Sequence, residues 1–294
     1  MNRIASYNTS SRQRSRKAVS AVMLSMTGLA AAIVVAPLIW ILGYVVKAGL
    51  PALTPEFLTQ LPTPVGIPGG GIANALVGSL ITVGIGALIA APIGVLAGIY
   101  AATRPDTAFG LMLRFGTDVI SGVPSIVMGI FAYTLVVLPQ RHFSALSAGI
   151  VLSFIMVPII IRTTEEMVKL VPGSLREGAL ALGAPEWKAS ASVILPAALN
   201  GVLTGVMLAV ARAAGEAAPM LFTAFGNPFM NTDINQPIAT LPHTIFTYAI
   251  APYEDWHAKA WGTALVLISL VLLLNVLARL VAWWRVRRLG SVVR

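Results

Sequence analysis

Polar positions in this chain are gathered into short segments that separate long apolar blocks. Six blocks, near residues 19–46, 72–102, 119–139, 145–168, 197–222 and 260–284, each reach the roughly 20 residues that a helix needs to cross a hydrocarbon core of about 30 Å. The pattern predicts an all-α, polytopic membrane protein with six transmembrane helices. Within the blocks, Gly94-x-x-x-Gly98 and Gly201-x-x-x-Gly205 predict close helix approach, because small residues let backbones pack where lipid supplies little hydrophobic drive. Pro92, Pro124 and Pro158 predict bends, which are tolerated where neighbours or a cavity satisfy the freed carbonyls. Asn275, in the last block, is expected to bond between helices. No internal repeat is visible, and no hydrophilic stretch is long enough for a second domain.

Composition agrees, with 57% hydrophobic and 11% charged residues against roughly 25% charged in soluble domains. Charge then orients the blocks. Of 20 Lys and Arg, three (Lys47, Arg141, Lys259) fall in the segments 47–71, 140–144 and 223–259, and two (Arg162, Arg212) fall inside blocks. The other fifteen, counting Arg279 at the inner end of the last block, lie on the opposite side, which the positive-inside rule makes cytoplasmic, together with both termini. Residues 1–18 read as a basic cytoplasmic tail, 19–285 as the membrane domain and 286–294 as a second tail. The first block follows basic residues, but it far exceeds the roughly 7–15 residues of a cleaved signal core and reads as a retained helix. The net charge of +9 is thus topology and lipid contact; the basic residues form no domain that would hold nucleic acid.

Several chemistries are excluded or left without support. Cysteine is absent, which removes disulfides and thiolate sites. His142, His243 and His257 are too scattered to suggest a metal centre. No Gly-Lys-Ser/Thr phosphate loop and no complete dinucleotide fingerprint occurs, so nucleotide hydrolysis is not expected of this chain.

One cytoplasmic segment is unlike its surroundings. EGALALGAPEWKASASVILP, residues 177–196, places Glu177, Gly178, Ala179, Gly183, Leu195 and Pro196 at the spacing of the Glu-Ala-Ala-x3-Gly-x9-Ile-x-Leu-Pro signature, with Gly178 for an Ala and Val193 for the Ile. It resembles the coupling segment, here about residues 172–196, of bacterial ABC importer permeases. Gly183 suits a turn that needs an unencumbered backbone, and Pro196 suits the opening of the next helix. Four further blocks, Gly122-Val-Pro-Ser-Ile-Val-Met-Gly129, Arg162-Thr-Thr-Glu-Glu166, Val171-Pro-x-x-Leu-Arg-Glu177 and Ala211-Arg-Ala-Ala-Gly-Glu-Ala-Ala-Pro219, resemble the A-type permease of the phosphate-specific ABC importer, the PstA family.

That resemblance implies a type I importer permease fold in a bacterial inner membrane and transport of inorganic phosphate. It implies a second permease (PstC-type), two ATP-binding subunits (PstB-type) that carry the ATP and Mg, and an extracytoplasmic phosphate-binding protein (PstS-type). No cofactor is implied on this chain. A permease for another oxyanion, molybdate or sulfate, shares the coupling motif; an ion-coupled secondary transporter needs none.

Intramembrane charges mark the candidate site. Arg212 and Glu216 are four residues apart and predicted to share a helix face. A charge there costs at least about 2.5–3.5 kcal/mol on insertion scales, so a partner or a wet cavity is expected. Spacing alone allows a structural ion pair or a pathway site, in which a guanidinium meets phosphate oxygens with two prongs. Thr204 and Ser125 are further pathway candidates. Arg162, predicted to pair with Glu165 or Glu166 on its own helix, is a gating candidate together with them. The outer segment 223–259, with Pro228, Pro237, Pro242 and Pro252, is expected to be partly ordered and to meet the binding protein.

Overall fold

A computed structural model describes residues 9–290; Arg3 and Arg294, counted above in the topological charge, lie outside them. The chain forms two compact units, residues 1–48 and 49–294. The first holds most of helix α1 (Thr9–Gly49), which begins inside the predicted tail and contains Pro37.

The second unit is helical throughout, and among the described residues it has no strand, only one parallel bridge between Phe225 and Ile238. A short turn at Leu50–Ala52 leads to α2 (Pro55–Thr59), and then come α3 (Ala73–Thr103), α4 (Ala108–Gly122), α5 (Ser125–Ala132) and α6 (Leu138–Gln140). Next are α7 (Ala145–Lys169), α8 (Gly173–Ala181), α9 (Glu186–Ala189), α10 (Leu195–Ala214), α11 (Ala218–Thr223), α12 (Leu241–Ile250) and α13 (Glu254–Gly290). Among the described residues, five helical segments are long and apolar enough to cross a membrane, or six where the bent pair Ala108–Gly122 with Ser125–Gln140 counts as one span.

Helix α7 is the centre, with most of its apolar window covered by protein. Its closest neighbour is α3, whose residues Gly78, Thr82, Gly86, Ala90, Gly94 and Gly98 recur every fourth position and are all buried. A Cβ on Gly86 would meet Leu152, one on Gly94 would lie 2.7 Å from the Ile160 Cβ, and one on Gly98 would lie 2.6 Å from the Thr164 Cβ. Residue numbers rise together on the two helices, so they run parallel. Gly201 and Gly205 meet Met167 and Thr163 in the reverse order, so α10 is antiparallel to α7. Both small-residue pairs predicted from sequence therefore pack as expected.

Proline shapes the rest, in two ways. At Gly122-Val123-Pro124 the third predicted block is broken: Val123 is extended (φ −76°, ψ 129°), as a residue before proline prefers, and the two helices meet at 104°. The bend expected at Pro124 is thus a full break between two helices, and the first of them begins at Ala108, ahead of the predicted 119. Elsewhere the helix absorbs proline. The π-turns Tyr133–Val137 and Ser190–Ile194 each immediately precede a Leu-Pro, and the Leu138 and Leu195 amides reach back five residues, to Tyr133 and Ser190. The wider turn accommodates a ring that would crowd the carbonyl four residues back. Pro196 therefore does not open a helix; Glu186–Ala214 is continuous. That helix then ends at Gly215, earlier than the predicted 222, and α11 follows as a separate turn. Asn275 donates to the Val271 carbonyl of its own helix at 2.8 Å, a back-bond that replaces the predicted interhelical contact.

The segment between α11 and α13 is ordered, as expected, by bonds to the start of α3. The Ser79 hydroxyl accepts from the Leu241 amide at 2.7 Å, and the Asn74 amide donates to the Asn227 carbonyl at 2.6 Å.

Gly94→Leu is expected to force α3 from α7 and to cost on the order of 1–3 kcal/mol or more, seen as a lower melting temperature of the purified protein. Gly84→Ala, which adds its methyl to open space, is the control; equal melting of both variants would show that the stripe does not set this packing.

Candidate functional site

The break after Gly122 and the end of α10 meet at one place. A cavity of about 160 Å³ is lined by Ser125, Pro124, Ser121 and Ile120 from the break, Ile155, Pro158 and Ile159 from α7, and Arg212 and Glu216 from the end of α10. Three residues singled out by sequence, Arg212, Glu216 and Ser125, are thus brought together. The break also points the N-terminal end of α5 at the cavity, where its dipole favours negative charge.

Arg212 and Glu216 approach at 4.0 Å with no hydrogen bond, and Arg212 is 61% exposed while Glu216 is 19% exposed. The pair is loose because α10 ends at Gly215, between them, so the predicted common helix face is interrupted. The guanidinium keeps donors free for another acceptor. Thr204 is not brought to the cavity: it is eight residues from Arg212, about 12 Å along the helix, and its hydroxyl donates to the Asn200 carbonyl.

Toward α8, charges from different helices interlock. Glu165, 3% exposed, accepts from Arg114 Nε at 2.7 Å and from Lys169 Nζ at 2.6 Å. Arg114 also donates to the carbonyls of Ala101 and Pro105, tying the end of α3 to α4 and α7. Arg162 does not pair with Glu165 or Glu166 as predicted; it donates to Asp118 of α4 at 2.8 Å. The correction has a plain cause: Glu165 points inward to Arg114, whereas Arg162 is half-exposed on another side of the helix. Glu166 is exposed.

The 177–196 segment presents an exposed surface. α8 ends in a Schellman turn, with the Ala184 amide donating to the Ala179 carbonyl and the Gly183 amide to Leu180; Gly183 has φ +82°, as this motif requires. Glu177 and Gly178 are exposed, Ala179 is partly covered, and Leu182 at the turn is 91% exposed with Trp187 nearby at 72%. Glu186 fixes the segment through Arg104, at 2.7 Å, and Arg176, at 3.2 Å. Arg104, Arg114, Asp118 and Glu186 were not found by sequence reasoning, since their partners are tens of residues away.

At the opposite end, an open apolar cavity of about 710 Å³ lies among Phe225, Phe229, His243, Tyr248 and Trp256. Burial holds the His243 imidazole below its ordinary pKa. His142 and His257 contact backbone carbonyls, and among the described residues no cluster could hold a metal ion.

Residues 94–289 match the profile of the binding-protein-dependent transport system inner membrane component family. The chain is 45% identical to the phosphate transport system permease protein PstA of Yersinia pestis, over 83% of each chain. It is 43% identical to that of Haemophilus influenzae, over 90% of this chain and 94% of the relative. A PstA 1 protein of Mycobacterium tuberculosis is 33% identical over 86% and 84%. Among solved structures, a chain of the MetNI methionine ABC transporter, in an inward-facing conformation, aligns with a TM-score of 0.57 at 18% identity, over 72% of this chain and 93% of its own. The last likeness is one of fold.

Gly183→Val is expected to strain the Schellman turn by about 1–3 kcal/mol, read as faster amide exchange at Gly183 and Ala184 with the membrane helices unchanged. Gly183→Asn should be milder. Unaltered protection in the Val variant would show that the turn does not depend on glycine.

Proposed function

The chain belongs to the binding-protein-dependent transport system inner membrane component family, and we infer from that membership and its PstA relatives that it is a permease subunit of an ATP-driven importer of inorganic phosphate. The observation that carries this reading is identity of 43–45% across more than four-fifths of both chains. It is a multi-pass protein of the bacterial inner membrane. A further reading, that both termini are cytoplasmic, rests on the charge distribution.

The cavity at the helix break is our candidate for part of the phosphate pathway. An anion entering it meets the Arg212 guanidinium, the Ser125 hydroxyl and the N-terminal end of α5, while the Glu216 carboxylate accepts a hydrogen bond from a P–O–H group that phosphate still carries near neutral pH. Arg212 is largely exposed within a span, an arrangement that suits a wet passage completed by a second permease. No covalent chemistry is required of this chain.

The exposed surface of residues 177–196 is our candidate for the contact with ATP-binding subunits, on which ATP and Mg would reside; Pro196 is exposed, whereas Leu195 packs inward beside Ile194 and Ala198 and anchors the segment. Its apolar tip at Leu182 and Trp187 fits a groove on a partner, and Arg104 and Arg176 hold its Glu186 toward the membrane domain. The opposite, aromatic-lined end is the candidate contact for a phosphate-binding protein.

If Arg212 meets phosphate, Arg212→Lys is expected to lower ATP-driven phosphate uptake by about tenfold or more, since a point charge loses one charge-assisted bond. The joint change Arg212→Gln with Glu216→Gln should not restore it. Near-normal uptake by that charge-free pair in an assembled complex would reduce the two residues to a packing ion pair.

A further inference from the structure

Arg162 and Asp118 occupy a defined place relative to the cavity. On α7, Ile155, Pro158 and Ile159 line it, and Arg162 follows on the same face at the next helical turn, because positions i, i+3, i+4 and i+7 fall together. On α4, which runs the other way, Ser121 lines the cavity and Asp118 precedes it by three residues. The two helices thus converge on the α8 side of the cavity, and there Arg162 Nη2 lies 2.8 Å from Asp118 Oδ1. The pair thus lies beyond the cavity in the direction of the end of α7 that leads to α8.

Three observations separate this pair from a packing contact. Its side chains are 50% and 57% exposed although Arg162 is seven residues, about 10 Å, inside the end of α7, so it faces open space within a span. Arg162 takes the carboxylate of another helix in preference to Glu166, which is also within reach on its own helix; among the described residues Glu166 makes no bond to it. The structural role at this level is already filled by the Arg114–Glu165–Lys169 cluster, whose shared carboxylate, Glu165, is buried. A guanidinium held by one carboxylate and open to solvent is a site where a second oxyanion competes, since carboxylate and phosphate present the same acceptor geometry.

We propose that Asp118 and Arg162 form an ionic latch below the Arg212 cavity, and that phosphate leaving the cavity displaces the Asp118 carboxylate and is received by Arg162. The latch deepens the reading of that cavity as a phosphate pathway and rests on it. Asp118 is then a gate residue: its charge keeps the passage shut when no anion is present, and Arg162 carries both the closed and the conducting contact.

The test uses the complete importer in proteoliposomes, with labelled inorganic phosphate as the probe, and reads leak without ATP and uptake with ATP. Asp118→Asn is expected to raise the leak roughly fivefold, the population change that a half-exposed ion pair can hold, while part of the uptake remains. Arg162→Lys is expected to keep the leak low, because a point charge still holds Asp118, but to lower uptake about tenfold for want of the two-pronged contact. The exchange Asp118→Arg with Arg162→Asp should restore closure and not uptake. A leak unchanged in Asp118→Asn, or uptake restored by the exchange, would overturn the latch while wild-type transport stays intact. If Asp118→Asn fails to assemble, full uptake by Arg162→Lys overturns it instead. A wild-type complex that moves no phosphate overturns the parent reading as well.

Discussion

The close contact between α3 and α7 is the constraint on which the rest of the second unit depends. In lipid, association gains little from hiding apolar surface, so two long helices stay together only where their backbones approach. The four-residue stripe from Gly78 to Gly98 provides that approach along most of α3, and buried Leu152, Met156 and Ile160 fill the small gaps it leaves. With α7 fixed in this way, Met167 and Thr163 receive the glycines of α10, and the end of α10 is delivered to the break before α5. The candidate cavity lies where these two consequences of small-residue packing coincide.

Much of this was legible in the sequence, for local reasons. Span number follows from the lengths of apolar runs, and glycine pairs at four-residue spacing name their own helix face. Gly183 was legible through the spacing of the 177–196 signature, in which it suits a turn that needs an unencumbered backbone. What was missed required knowledge across the chain. The run through Gly122-Val123-Pro124 has no charged interruption, so composition could not separate a kink from a break of 104°. Arg162 has carboxylates at three and four residues, and nothing local reveals that Asp118, from another helix, takes it. Thr204 was a candidate as a hydroxyl beside the helix face that carries Arg212, yet it lies about two helical turns from it.

Proline meets three different fates in one chain, and its neighbours decide which. Pro124 follows Gly122 and Val123 and ends a helix. Pro139 and Pro196 follow π-turns and leave their helices intact. Pro158 sits within α7 and lines the cavity. The difference matters because a break creates a helix end with its dipole exposed, whereas a π-turn keeps the rod whole.

That last property gives the segment from Glu186 to Ala214 a mechanical character. One continuous helix carries Glu186 near one end and Arg212 near the other, a separation of about 39 Å at 1.5 Å per residue. It is a lever arm: with a pivot near the first end, a tilt of about 5° sweeps the guanidinium through roughly 3 Å, the scale of the shear movements that packed helices make. Three ångströms is the span of one hydrogen bond, so a rotation too small to disturb the packing of the helices is enough to make or break a contact at Arg212.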